Sequence, residues 1–153
     1  MSDTDLIKLY SGRILELAAD IPHAGRLNAP DATVRKRSPL CGSTVTVDLV
    51  MRDGKVAEFA QDVKACALGQ AAASLFGAAV LGRTAKELDA ARDALRAMLK
   101  DGAAPPPAPF DGFAVLLPAR DYKNRHASIL LAAEAAAEAA HLSETPQKAP
   151  ESR

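Results

Sequence analysis

The chain has 153 residues, with 19 basic and 19 acidic side chains and a formal net charge of zero. That length suits one domain whose core needs no disulfide staples, and the balanced charge excludes a global electrostatic footprint for duplex nucleic acid or an anionic membrane. The opening Met1-Ser2-Asp3-Thr4-Asp5 is polar and acidic with no long apolar run behind it, which reads as neither a signal peptide nor a membrane span and points to the cytoplasm.

Between Asp5 and Ile21 the residues Leu6, Ile7, Tyr10, Ile14, Leu15, Leu17 and Ala18 recur at helical spacing, and Pro22 and Gly25 stop the helix. Ala32 to Arg37 reads as a short strand, Thr44 to Met51 as a longer one rich in β-branched residues, Asp53-Gly54 as a hairpin turn and Lys55 to Val63 as a third strand. The sheet is therefore small and antiparallel. Ala67 to Leu81 is apolar around most of its circumference and predicts a largely buried helix. Thr84 and Glu87 form a capping box for a helix running to about Lys100, with Leu88, Ala91, Leu95 and Leu99 on one stripe.

Pro105-Pro106-Pro107-Ala108-Pro109 predicts a stiff, exposed spacer. Phe113 to Leu117 is a short apolar stretch closed by Pro118, and Ala127 to about His141 predicts the final helix. Residues 143–153, with two prolines among mostly polar residues, predict a disordered tail, leaving a single domain over residues 1–142.

The two cysteines carry the chemistry. Cys41 sits in Ser38-Pro39-Leu40-Cys41-Gly42-Ser43, a Gly-containing turn, and Cys66 in Lys64-Ala65-Cys66-Ala67-Leu68-Gly69, at a helix start. Backbone amides in turns and at helix starts stabilise a sulfur anion, so both places suit thiolate chemistry. In a reducing compartment such cysteines serve as buried side chains, metal ligands or redox groups rather than as a structural disulfide.

A structural metal site normally has four protein ligands. Besides Cys41 and Cys66 the sequence offers only His23, His126 and His141. It contains no CxxC, no HExxH and no phosphate-binding glycine loop. Helices starting at Cys66 and near His126 or Ser128 would turn their positive ends toward one pocket with the Cys41 turn. Such a pocket suits a thiolate, a metal held by sulfur and imidazole, or a transferred sulfur atom. His23 and His141 read as solvent-exposed, and Arg35-Lys36-Arg37 as a solvated strand edge that discourages strand pairing.

From roughly Leu6 to Ala140 the chain resembles the NifU N-terminal or IscU-like iron–sulfur scaffold family, and within it the SufU type. The stretch from Ile21-Pro22 through Gly25 and Leu27 resembles the family's Asn-Pro-x-Asn-x-Gly segment, and Ser38-Pro39-Leu40-Cys41-Gly42 resembles Asn-Pro-x-Cys-Gly-Asp. Lys64-Ala65-Cys66-Ala67-Leu68-Gly69-Gln70-Ala71-Ala72-Ala73-Ser74 resembles Gly-x-Gly-Cys-Ala-Ile-Ser-x-Ala-Ser-x-Ser, and Arg125-His126-Ala127-Ser128-Ile129-Leu130-Leu131 resembles the start of the family's last helix. The Pro-rich stretch near 103–110 falls where SufU-type members carry an insertion.

The resemblance implies an α+β fold, a three-stranded antiparallel sheet packed against a bundle of α-helices. It implies a non-enzymatic scaffold or sulfur-relay protein in iron–sulfur cluster assembly, accepting sulfur from a cysteine desulfurase and serving acceptor apo-proteins, with neither nucleic acid nor membrane as partner. Cys41 and Cys66 would be two of the family's three cysteine ligands for iron, zinc or a cluster, with His126 as a further ligand. Two departures stand out: Ser43 replaces the family's aspartate, and the third cysteine is replaced by Ala127 in the IscU register or by Ser128 in the SufU register. Losing a thiolate and a carboxylate removes two anionic donors. The alternative is a degenerate paralogue acting as a metal-free binding or regulatory module. A redox enzyme using Cys41 and Cys66 as a disulfide couple lacks the usual CxxC context.

Overall fold

The structure, a computed structural model, describes residues 11–39 and 42–144. Cys41 and the expected tail over 145–153 lie outside the described residues, as do the apolar residues Leu6, Ile7 and Tyr10 of the expected first helix.

Helix α1 is described over Gly12–Ala19, opened by Ser11, whose hydroxyl accepts from the Ile14 amide. Strands β1 (Ala32–Arg37), β2 (Thr44–Arg52) and β3 (Lys55–Lys64) form an antiparallel sheet in the order β1-β2-β3. Asp53 and Gly54 both take positive φ, 55° and 76°, the backbone that a two-residue hairpin needs to match strand twist. Along β2 the side chains alternate. Val45, Val47 and Leu49 face the core, while Thr44, Thr46 and Asp48 face away from it. A register shift at Val50 and Met51 ends that alternation.

Helix α2 spans Ala67–Ala79 and α3 spans Ala85–Lys100, the latter opened by the expected Thr84–Glu87 capping box. Helix α4, Lys123–Glu144, is the hub: it packs on β1 and β2 on one side and on α2 and α3 on the other. Its alanines let these neighbours approach closely, and a broad stretch of the helix is buried. The core is filled by Phe76, Phe113, Leu68, Leu88, Leu95, Met98, Leu116 and Ile129.

Several boundaries differ from expectation: α1 opens after Ser11, whose extended backbone (φ −62°, ψ 165°) interrupts the expected Asp5–Ile21 helix, and it ends at Ala19. Helix α2 ends at Ala79, and α4 begins at Lys123 rather than Ala127 and continues through Ser143 and Glu144. The stretch around Phe113 is a 3₁₀ helix over Asp111–Asp121. The Pro-rich segment is not wholly exposed either, because Pro106 is buried and Phe110 stacks on Phe76 at 5.2 Å between ring centroids. Arg120 fastens that segment to α3, donating from Nε to the Met98 carbonyl, a helix-end acceptor, and from Nη2 to the Ala103 carbonyl just beyond the helix.

Candidate functional site

The loop before β2 closes on itself: the Gly42 amide donates to the Ser38 carbonyl and the Ser38 amide to the Ser43 carbonyl, each at 2.8 Å. Ser43 has the strand parity of Val45, so its side chain points inward and is 4% exposed. Cys66 is the N-cap of α2, with extended backbone (φ −67°, ψ 169°), and its carbonyl accepts from the Gln70 amide. Its sulfur therefore stands at the positive end of that helix.

Ser128, in the second turn of α4 and 1% exposed, joins the two. Its hydroxyl donates to Ser43 Oγ at 3.1 Å and lies 3.5 Å from Cys66 Sγ. Three side chains from three distant stretches thus make one polar chain. A close approach of α2 to α4 permits it. A Cβ at Gly69 would stand 2.5 Å from Ser128 Oγ and 2.8 Å from Ala65 Cβ, so any larger residue must displace its neighbours.

Cys66 is half-buried, and with Gly42, Ser43, Lys64, Ala65 and Arg125 it lines an open cleft of about 410 Å³. Arg125 and Ser128 are three apart on α4, hence about 60° apart around its axis, and both reach this side. His126 does not. It lies two residues from Ser128, roughly 200° around the helix, and its Nε2–H donates to the Ala119 and Arg120 carbonyls at 3.0 Å each. The ring is 2% exposed and borders a different cleft, with Leu99, Lys100, Arg120, Asp121 and Lys123.

The expectation that His126 joins Cys66 therefore gives way to a structural role, tying the first turn of α4 to the 3₁₀ helix. Of the two registers considered for the missing cysteine, the geometry places Ser128 beside Cys66 and Ser43. Cys41 lies outside the described residues. His23 is exposed, and His141 is a half-exposed partner of Asp89 at 2.6 Å.

The donor spacings are close to the edges of a small coordination sphere, roughly 3.3–3.8 Å for bonds of 2.0–2.3 Å. The donor chemistry is not. Serine hydroxyls are neutral, and here they already bond to each other, so the described donors do not fit a resident zinc or iron. Among the described residues no group of three or more His, Cys, Asp and Glu side chains is placed to hold a metal ion.

Sequence reasoning did not single out Asp48. Its side chain is fully buried and receives Arg26 Nε at 2.6 Å, the Leu27 amide at 3.1 Å and the Thr33 hydroxyl. Burial pushes this carboxyl up, but the hydrogen bonds from Arg26, Thr33 and Leu27 outweigh it and hold the group below its ordinary value. The signal was present as an acidic residue in a β-branched strand. The cluster anchors the segment that also pairs with β3, where the Gly25 amide donates to the Gln61 carbonyl and the Gln61 amide to the His23 carbonyl.

Comparison with known families matches residues 9–141 to the NifU-like N terminal domain. The chain is 48% identical to the N-terminal part of a nitrogen-fixing NifU-like protein from Brucella abortus, covering 92% of this chain and 97% of that one, with a TM-score of 0.89. A protein described as an iron–sulfur cluster assembly scaffold for the SUF system, from Fervidobacterium islandicum AW-1, is 18% identical over 88% of this chain and 98% of its own, with a TM-score of 0.77. A hypothetical protein with the same coverage is 24% identical with a TM-score of 0.76. These last two show the shared fold. No curated protein matches the sequence. Among the described residues no helix is long and apolar enough to cross a membrane.

Proposed function

Because the chain belongs to the NifU-like N-terminal domain family of non-catalytic iron–sulfur scaffold proteins, we propose that it accepts sulfur from a cysteine desulfurase on Cys66 and relays it to cluster assembly in the cytoplasm. The observation that supports this most is the position of Cys66, at the rim of an open cleft on the positive end of α2. A thiol so placed can be reached by a donor protein. Its thiolate would attack the outer sulfur of the donor's persulfide. A new S–S bond forms on Cys66, the donor's S–S bond breaks, and the donor cysteine leaves as thiolate.

Sulfur acceptance needs one thiol and no further anionic donor, and that is what the described cleft supplies. Cys41 is the second thiol the chain can offer. Together Cys41 and Cys66 are the two thiolate ligands available to iron, zinc or a cluster as cargo, with acceptor apo-proteins downstream. The Ser43–Ser128 pair favours a second reading, a metal-free binding module.

Incubating the anaerobically purified protein with a cysteine desulfurase and cysteine, followed by intact-mass measurement, separates the two. We expect the mass of one added sulfur atom in the wild type and in Cys41→Ser, absent in Cys66→Ser. A folded wild type that gains no sulfur would establish the binding module instead.

A further inference from the structure

The basic run Arg35-Lys36-Arg37 divides between the two faces of β1. Lys36 turns to the helical side and pairs with Glu138 of α4 at 2.7 Å. Arg35 and Arg37 turn outward and are exposed. In register, Arg37 lies opposite Thr44 and Thr44 opposite Lys64, while Arg35 lies opposite Thr46 and Thr46 opposite Asp62. One end of the outer sheet face therefore carries Arg35, Arg37 and Lys64 against the single carboxylate of Asp62, which already faces Arg26. Lys64 also lines the Cys66 cleft, where Arg125 adds a fourth cation from α4.

None of these four cations forms an ion pair with another described residue. The exposed guanidinium groups of Arg52 and Arg96, by contrast, each have a carboxylate oxygen at 3.0 Å, as does Arg92, while Lys55, Lys86, Lys100 and Lys123 form no ion pair among the described residues but do not border the Cys66 cleft. Lys64 and Arg125 beside the one described thiol, continued across the outer sheet face by Arg37 and Arg35, give a chain of zero net charge a local positive field on this side, and such a field steers an oppositely charged surface into register.

We propose that this rim, Arg35, Arg37, Lys64 and Arg125, docks an acidic surface of a partner protein over Cys66. The identity of that partner as the sulfur donor rests on the function proposed above. Nucleic acid fits less well. The rim carries no aromatic side chain for base stacking, and its flanking groups are threonines and a carboxylate.

The test is a titration of isotope-labelled full-length protein with a short oligoglutamate peptide, followed by NMR. Shifts are expected at residues 33–37, 44–46, 62–66 and 125. Raising salt from about 0.05 M to about 0.5 M should remove them. The variant Arg35→Glu/Arg37→Glu/Lys64→Glu should abolish them, whereas Lys100→Glu/Lys123→Glu, beside His126, should not. With a cysteine desulfurase as the titrant, the triple variant should bind at least about tenfold more weakly.

Oligoglutamate shifts that are scattered or centred on Lys100 and Lys123 overturn the proposal. So does tighter binding of an oligothymidylate than of oligoglutamate, or desulfurase binding that the triple variant leaves intact. Oligoglutamate bound at the rim with no desulfurase binding to the wild type supports the acidic docking surface and removes the desulfurase as its occupant.

Discussion

Two buried polar clusters lie along the same strand, one around Asp48 and one around Ser43, and they treat charge in opposite ways. Asp48 stays ionised without exposure because a guanidinium, a backbone amide and a hydroxyl all donate to it. The Ser43 cluster links two neutral serine hydroxyls to the Cys66 sulfur, with no carboxylate among the three. A buried carboxylate survives only with partners that offset its desolvation. The pocket beside Cys66 spaces its donors much as a ligand cluster would, yet two of the three are neutral hydroxyls, whereas the Asp48 cluster holds a charge because three donors meet the carboxylate.

The comparison is broken most directly by exchanging the chemistry. In Ser43→Asp/Ser128→Cys, the pocket gains a carboxylate and a thiolate beside Cys66. We expect one zinc bound per chain with affinity several orders of magnitude above the wild type, read by metal analysis and competition with a chromogenic chelator.

Removing the charge from the other cluster comes next in size. Asp48→Ala strands the Leu27 amide and the Thr33 hydroxyl and should cost about 3 kcal/mol in denaturant unfolding. Asp48 also sets an acid limit. Its folded ionisation lies below the ordinary 3.8, so its contribution is complete above that value and is lost as pH falls through the lower folded one. Asp48→Asn should therefore flatten the stability loss in that acid window. An unchanged acid slope would show that Asp48 is not the group responsible.

Gly69→Ala gives the smallest effect. Its Cβ would meet Ser128 Oγ at 2.5 Å, forcing α2 from α4. The overpacking cost, partly offset by the gain in helix propensity, leaves about 1 kcal/mol of destabilisation. Stability unchanged from wild type would mean that α4 yields freely there.

The strands and α3 were legible because their signals are local. β-Branched runs, Asp53-Gly54 and the Thr84–Glu87 box act within a few residues of one another. The start of α4 was not, because the helix begins directly against the 3₁₀ helix, with the Arg125 amide donating to the Tyr122 carbonyl, a junction set by tertiary packing. That shift decided the fate of His126. Once the helix runs through it, the residue facing Cys66 is Ser128, and the imidazole points to the carbonyls of Ala119 and Arg120.

By itself the sequence determined the elements, the family resemblance and the shortage of anionic donors, since these depend on residue type and near-neighbour spacing. Only the tertiary structure decided which serine meets Cys66, that His126 serves the scaffold, and that Lys64 of β3 and Arg125 of α4 line one cleft. Those facts depend on rotation about one helix axis and on register across a sheet, which bring together residues as far apart as Ser43 and Ser128 and which no local pattern encodes.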